Sequence, residues 1–300
     1  MHLEPSPRWI EFGLQPTLII GVVASWFMYR DAPMYYPIAI VSVQIILGFF
    51  EYLYPARPIW TQRAKEKFYN VVMVFILYSL AVAVAGLYSQ WLMGPLADIR
   101  TTLGIDVWPH HWPIVAQLIL VFFSSELLWY WMHRAEHRWT LIWKASGHGT
   151  HHSFKSLTAI NFGLNHPLEA FFLVLPALIV ELLFGVGIAA AGAGVLTAVL
   201  ASIAHTNVKL NSKWIGALLT TNEYHIRHHS IVLAESNTNY GCSAIIWDRV
   251  FGTFASGHTL EAGIGPTEPT LWEKIMLPFR EPADSAIAPM LNPNTEPTER

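Results

Sequence analysis

Six stretches of this 300-residue chain are apolar over most of their length, and polar segments separate most of them. They fall at residues 13–29, 33–54, 68–93, 112–132, 168–186 and 188–204. A helix needs about 20 mostly apolar residues to cross the hydrocarbon of a bilayer, so the first four predict transmembrane helices. The last two are shorter. Gly185 and Gly187 stand between them and predict a helical hairpin, which either crosses fully or dips in from one face. The expected fold is all-α, a polytopic membrane protein with four to six transmembrane helices. The opening segment is polar, and the first apolar run resembles a retained membrane helix more than a signal peptide.

Composition supports this reading. The chain is 53% hydrophobic and 13% charged, against about 25% charged residues in ordinary soluble domains. A net charge of −3 gives no general affinity for nucleic acid. One cysteine, Cys242, excludes an intrachain disulfide framework and any cysteine-rich metal site. Lys and Arg set the orientation. Arg57, Arg63, Lys65 and Lys67 crowd the loop before the third run, and Arg134, Arg138, Lys144 and Lys155 follow the fourth. The loop between those two runs carries only Arg100. The basic segments are therefore expected on the cytoplasmic side, of a bacterial inner membrane or an endoplasmic reticulum. Residues 1–112 read as an N-terminal transmembrane anchor and residues 113–280 as a catalytic domain. Residues 281–300, rich in Pro, Glu, Asn and Thr, read as a disordered tail.

The chemistry lies in the histidines. Ten of the 14 lie between His133 and His229, and eight of those form three clusters. These are His133-Arg-Ala-Glu-His137, His148-Gly-Thr-His151-His152 and His225-Ile-Arg-His228-His229. Imidazole is the commonest side-chain metal ligand. Residues three and four apart share one face of a helix, so each cluster can present several rings together. Gly147 and Gly149 suggest that part of the second cluster sits on a turn. One metal rarely takes more than six ligands, so eight or more imidazoles imply two ions. All three clusters are expected on the cytoplasmic face.

Further candidates surround them. His205 ends an apolar run and should emerge on the same face as a ninth ligand. His166 and Glu169, three apart in Asn165-His-Pro-Leu-Glu, read as an additional ligand or as groups that orient one. Glu126 lies inside the fourth apolar run, where an ionisable group is expensive and usually serves a partner; it reads equally as a group that orients a ligand histidine and as the partner of an unrelated polar group near the interface. Glu136, Glu223 and Asp248 are other acceptors for such a role. Arg134 and Arg227 are expected to pair with carboxylates. Trp129, Tyr130, Trp131, Trp139 and Trp143 read as an interfacial aromatic belt.

An all-nitrogen pair of metal sites at a membrane surface suits dioxygen chemistry on an unactivated C–H bond, which no side chain can perform alone. The boxes HRAEH, HGTHH and HIRHH, in this order with a hairpin between the second and third, resemble the fatty acid hydroxylase / sterol desaturase superfamily of integral-membrane non-haem di-iron enzymes. Residues 237–254, NTNYGCSAIIWDRVFGTF, resemble its closing signature, an NYG followed by WDxxFGT. The resemblance covers about residues 113–255. It implies two non-haem iron ions, for which zinc is a possible substitute in purified protein. The ligands it implies are His133, His137, His148, His151, His152, His225, His228 and His229, with His205 a ninth. It implies O2-dependent hydroxylation or desaturation of a membrane lipid, fatty acyl, sterol or related. Electrons would come from an external cytochrome b5-type or ferredoxin-type donor. Many members carry a further paired histidine motif before the last box, where this chain has only His166 and His205. Two other readings stay open, a zinc-dependent membrane hydrolase and a non-enzymatic metal-binding or transport protein. The zinc-protease HExxH pattern is absent.

Overall fold

A computed structural model describes residues 6–280 except Pro33 and Thr61. The described residues are helical, with no β-strand beyond two isolated bridges, Pro55 to Val208 and Ser230 to Ala262. The long helices are α1 (Arg8–Tyr29), α2 (Tyr35–Leu53), α3 (Ala64–Leu103) and α4 (Ile114–Arg138). Two short helices follow, α5 (Thr140–Ser146) and the single turn α6 (Gly149–His152). The hairpin comprises a 3-10 turn, Pro167–Glu169, then α7 (Ala170–Leu173), α8 (Leu175–Phe184) and α9 (Ile188–His205). The C-terminal part holds α10 (Asn222–His228), α11 (Leu233–Ser236), α12 (Ile246–Phe251) and α13 (Leu271–Met276). Residues 281–300, expected to be disordered, lie outside the described residues.

Six spans among the described residues are long and apolar enough to cross a membrane, the upper end of the expected range. The chain is a multi-pass membrane protein. The hairpin forms where expected. Gly185 and Gly187 adopt φ of 63° and 62°, a region that L side chains avoid. Arg100 steadies the turn by donating to the Leu182 carbonyl at 2.7 Å. The third helix is longer than its apolar run predicted, with 40 residues in place of 68–93. It continues through Gly94 and Pro95 and ends at Gly104, which caps it with φ 65°. At 1.5 Å per residue this is about 60 Å, well beyond a hydrocarbon core of about 30 Å.

Helix α9 is the centre of the bundle, with α1, α2, α4 and α8 packed around it. Lipid tails are as apolar as leucine, so helices associate here by close packing of small residues. Gly192 is one such point: a Cβ there would stand 2.4 Å from the Trp26 ring of α1. The outward faces of α1 to α3 stay apolar and exposed, as lipid contact requires. Helix α2 is also tied to the far end of α9 by a carboxylate. Glu51 Oε1 accepts from the Thr206 hydroxyl and the Asn207 and Ala159 amides at 2.8–2.9 Å. This bond set and the Pro55–Val208 bridge bring the basic loop after α2 to the end of the bundle where α9 finishes at His205.

Candidate metal centre

That end of the bundle collects the histidines. His133 and His137 occupy the last turns of α4, His205 is the last residue of α9, and α6 and α10 lie across the gap. Gly147, at φ 73°, ends α5 and turns the chain so that His148 precedes the single turn of α6. Nine imidazoles, all buried, fall into two adjoining groups among the described residues. His133, His137, His148, His152 and His228 form one; His151, His205, His225 and His229 form the other. The stacked rings of His152 and His229, 4.4 Å apart, mark the boundary between them.

The sorting follows helix geometry. In each HxxHH box the first and fifth positions, one turn apart, go to the same group, and the fourth goes to the other. His148 and His152 thus join the five-histidine group while His151 joins the four-histidine group. The third box is reversed: His225 and His229 join the four, and His228 joins the five. Adjacent side chains on a helix diverge by about 100°, so His151-His152 and His228-His229 each place one ring in either group.

Tautomers can be assigned from the hydrogen bonds. A carbonyl only accepts, so His133 Nδ1 must donate to the Tyr240 carbonyl at 2.6 Å, and His228 Nδ1 to the Thr238 carbonyl at 2.8 Å. His148 Nδ1 donates to Glu169 Oε1 at 2.7 Å. In neutral rings the Nε2 atoms are then bare, yet His133 Nε2 lies 2.9 Å from His148 Nε2 and 3.0 Å from His228 Nε2. Lone pairs so placed repel unless a cation lies among them. Two nitrogens at right angles about one ion, each at an ordinary bond length of about 2.1 Å, stand about 3 Å apart. In the second group, His225 Nε2 lies 2.8 Å from His205 Nε2 and 3.1 Å from His229 Nε2. Both donor sets fit a metal that takes nitrogen.

Burial also keeps the rings unprotonated. It pushes His148, His152, His225, His228 and His229 well below the usual imidazole value, and His151 to about 3, with repulsion from neighbouring imidazoles adding to the effect. A neutral imidazole is the form that binds metal.

The other candidates are placed differently. Glu169 bonds His148, and Glu136 Oε2 approaches the same Nδ1 at 3.6 Å. Glu126 follows the second of its two readings and accepts from the Thr197 hydroxyl and the Ser243 amide, not from a histidine. It holds the loop that carries the Tyr240 carbonyl, one step further from His133. His166 belongs to neither group; both of its nitrogens bond backbone atoms, Leu168 N and Ile275 O. Glu223 is exposed. Arg227 pairs with Glu235 at 3.1 Å as expected, whereas Arg134 donates to the Tyr130 hydroxyl and not to a carboxylate. Trp131 and Trp139 are exposed, as a belt requires, but Tyr130 and Trp143 are buried. Trp143 packs on His137, His148 and His152 at 5.3–5.6 Å, so it is a wall of the centre.

The closing signature holds one of the acceptors. Asn239 takes φ 58°, and its side chain bonds Tyr224 O, Ala255 O and Ala255 N. Asp248 accepts from the Tyr240 amide, the Gly241 amide and the Thr253 hydroxyl at 2.6–2.7 Å. A Cβ at Gly241 would stand 2.5 Å from the Ala244 carbonyl. The sequence marked this segment, although not the role of the Tyr240 and Thr238 carbonyls.

Residues 118–253, which include all nine imidazoles, match the fatty acid hydroxylase family model. This match and the relatives below support the fatty acid hydroxylase superfamily. The family and the named relatives indicate an oxidoreductase. The ornithine lipid hydroxylase OlsE of Rhizobium tropici is 28% identical over 242 residues, which cover 79% of this chain and 72% of that protein. Alkylglycerol monooxygenase of Danio rerio is 26% identical over 57% of this chain, but the match spans only 39% of that protein. The very-long-chain aldehyde decarbonylase GL1-11 of Oryza sativa subsp. japonica is 25% identical over 61% of this chain and 67% of its own length. No solved structure matches.

Proposed function

We propose that this fatty acid hydroxylase superfamily member is a membrane-bound di-iron oxygenase that hydroxylates or desaturates a lipid with O2 and external electrons. The observation that carries the reading is the facing set of bare Nε2 atoms around His133, which only a cation makes favourable. One iron would be held by His133, His137, His148, His152 and His228, and a second by His151, His205, His225 and His229. Iron supplies the dioxygen activation needed to break an unactivated C–H bond. Glu169 holds the His148 ring, the Tyr240 and Thr238 carbonyls hold His133 and His228, and the buried Trp143 keeps water from one side. The relatives named for lipid hydroxylation and lipid monooxygenation support a lipid substrate.

We place the centre on the cytoplasmic face, because the basic loop after α2 shares its end of the bundle. Residues 113–280 would be catalytic and residues 1–112 an anchor. A cytochrome b5-type or ferredoxin-type protein would deliver electrons. The hydrolase and transport readings are not favoured. Transport sites lie near the bilayer midplane, whereas these histidines gather at one end.

Lipid mass spectrometry on cells grown under oxygen-18 gas tests this, with the wild-type chain beside its His151→Ala/His152→Ala form. A new lipid carrying heavy oxygen, seen only with the wild type, is the expected result for a hydroxylase. A product lacking two hydrogens and carrying no label identifies a desaturase. A product formed equally without oxygen overturns the proposal in favour of hydrolysis.

A further inference from the structure

His166 lies outside both imidazole groups, yet the fold uses it fully. The Leu168 amide donates to its Nδ1 at 3.1 Å, so that nitrogen carries no proton. Its Nε2 must then carry one, and it donates to the Ile275 carbonyl at 3.1 Å. Both ring nitrogens are thereby committed and the tautomer is fixed.

Each bond has a purpose that the chain makes legible. Pro167, first in the turn Pro167–Glu169, has no amide hydrogen. Leu168 therefore has the first amide there that needs an acceptor, and His166 caps it. Glu169, one residue further, ends the turn with its carboxylate 2.7 Å from His148 Nδ1. The cap thus fixes the backbone that aims Glu169. The same ring lies against Gly147, the residue before His148: a Cβ there would stand 2.4 Å from His166 Cβ.

The other bond reaches the C-terminal segment. The last carbonyls of any helix lack intrahelical partners, and two of those in α13 are taken by the histidine-bearing region. Ile275 O accepts from His166, and Lys274 O accepts at 2.8 Å from Thr150, which lies between His148 and His151. Leu277 completes the seal, packing with Ile264 on Trp143. Residues 271–279 therefore close over the segments that hold three ligand candidates.

We propose that His166 is a positioning residue and a latch: through Nδ1 it caps the turn bearing Glu169 and so fixes the orientation of His148, and through Nε2 it joins the C-terminal segment to that turn. The proposal rests on the metal reading of His148 for its consequence in the reaction. The latch itself can be tested without that reading.

The test uses the full chain purified in detergent, with three variants and two readouts. Trypsin cleavage after Lys274, which is 7% exposed, reports opening of the segment. The visible spectrum of cobalt(II)-loaded protein reports the orientation of His148. His166→Phe keeps a ring but loses both bonds. His166→Asn keeps an acceptor for the Leu168 amide and loses the reach to Ile275. Thr150→Val loses only the second carbonyl bond. The loss of one such hydrogen bond is expected to speed cleavage about fivefold, so all three variants are cut faster. Only His166→Phe is expected to shift the cobalt spectrum, and His166→Asn restores it. Cleavage of both His166 variants at the wild-type rate would overturn the latch. So would identical spectra for wild type and His166→Phe, which would leave His166 a merely structural contact. If the wild type takes up no cobalt, the metal reading fails, and the cleavage rates still decide whether His166 holds the segment.

Discussion

The two histidine groups differ less in their ligands than in what stands behind them. In the five-histidine group the outer nitrogens of His133, His148 and His228 are bonded to the Tyr240 carbonyl, Glu169 and the Thr238 carbonyl. In the four-histidine group no Nδ1 atom has a hydrogen-bond partner among the described residues. Packing does most of the holding there, such as His151 against His229 at 4.7 Å and His205 against His229 at 4.9 Å. In the five-histidine group only His152 Nδ1 shares that lack of a partner among the described residues. An outer partner fixes the tautomer and the ring direction and raises ligand basicity. On the proposed metal reading, the first group would be ready for its ion before the ion arrives, while the second would adjust its rings to suit. A rigid position beside an adaptable one would let one ion stay fixed while the coordination of its neighbour changed.

The largest expected effect sets two neighbours against each other. His151 and His152 are adjacent, yet they face different groups. His151→Ala and His152→Ala should each remove one metal ion per chain and lower lipid oxidation by more than the 10- to 100-fold typical of an outer partner. The ion left in His151→Ala should resist a chelator, because it sits in the anchored group. The ion left in His152→Ala should be removed readily. Metal analysis before and after dialysis checks this, and equal lability of the two residual ions would break the comparison.

A smaller effect follows from the anchor itself. Glu169→Gln keeps the shape but weakens the charge-assisted bond to His148. Metal affinity at the five-histidine group should fall by about 10- to 100-fold, with the four-histidine group unchanged. Competition with a calibrated chelator measures both sites in one titration. An equal loss at both would mean that Glu169 acts on the whole centre.

How much of this the sequence made legible depends on whether local spacing carries the information. The nine imidazoles were readable because positions one helical turn apart share a face, and His205 because an apolar run ends there. Their division into five and four was not proposed from the sequence, although the divergence of adjacent side chains contains it. His166 was ambiguous in principle. A histidine before Pro and near Glu serves equally as a ligand or as a cap, and only the arrival of Ile275, more than a hundred residues later, decides between them. Trp143 and Tyr130 share their local pattern with belt residues such as Trp131, and tertiary packing alone buries them. Glu126 was rightly expected to have a partner, but the partner, Ser243, lies on a loop whose approach no local pattern encodes.

Asp248→Asn should sharpen the comparison from behind the anchor. Asp248 accepts both the Tyr240 and Gly241 amides, and an asparagine there would set its amide hydrogens against one of those donors. Losing one hydrogen bond to a charged group costs about 1.5–3 kcal/mol. The Tyr240 carbonyl should then loosen its hold on His133, and the ion in the five-histidine group should exchange several-fold faster. Isotope exchange of the bound metal checks this, and a faster rate at the four-histidine group would contradict it.

Acid should separate the two groups least. Unfolded imidazole titrates near 6.5, and burial holds the folded values of His148, His151, His152, His225, His228 and His229 below it. The folded metal-free chain therefore binds fewer protons than the unfolded one. Its stability is fully present above pH about 6.5 and declines as pH falls towards the folded values. Both groups follow the same sign, so only the order of protonation distinguishes them. In the four-histidine group an incoming proton can take an Nδ1 that has no protein partner. In the five-histidine group three such nitrogens already donate, although His152 Nδ1 also lacks a partner, so fewer of its rings are open to the proton. Histidine NMR on the metal-free protein, followed from neutral pH down through the folded values, should show His225 and His229 titrating before His228. The reverse order would mean that the outer bonds do not govern access to the centre.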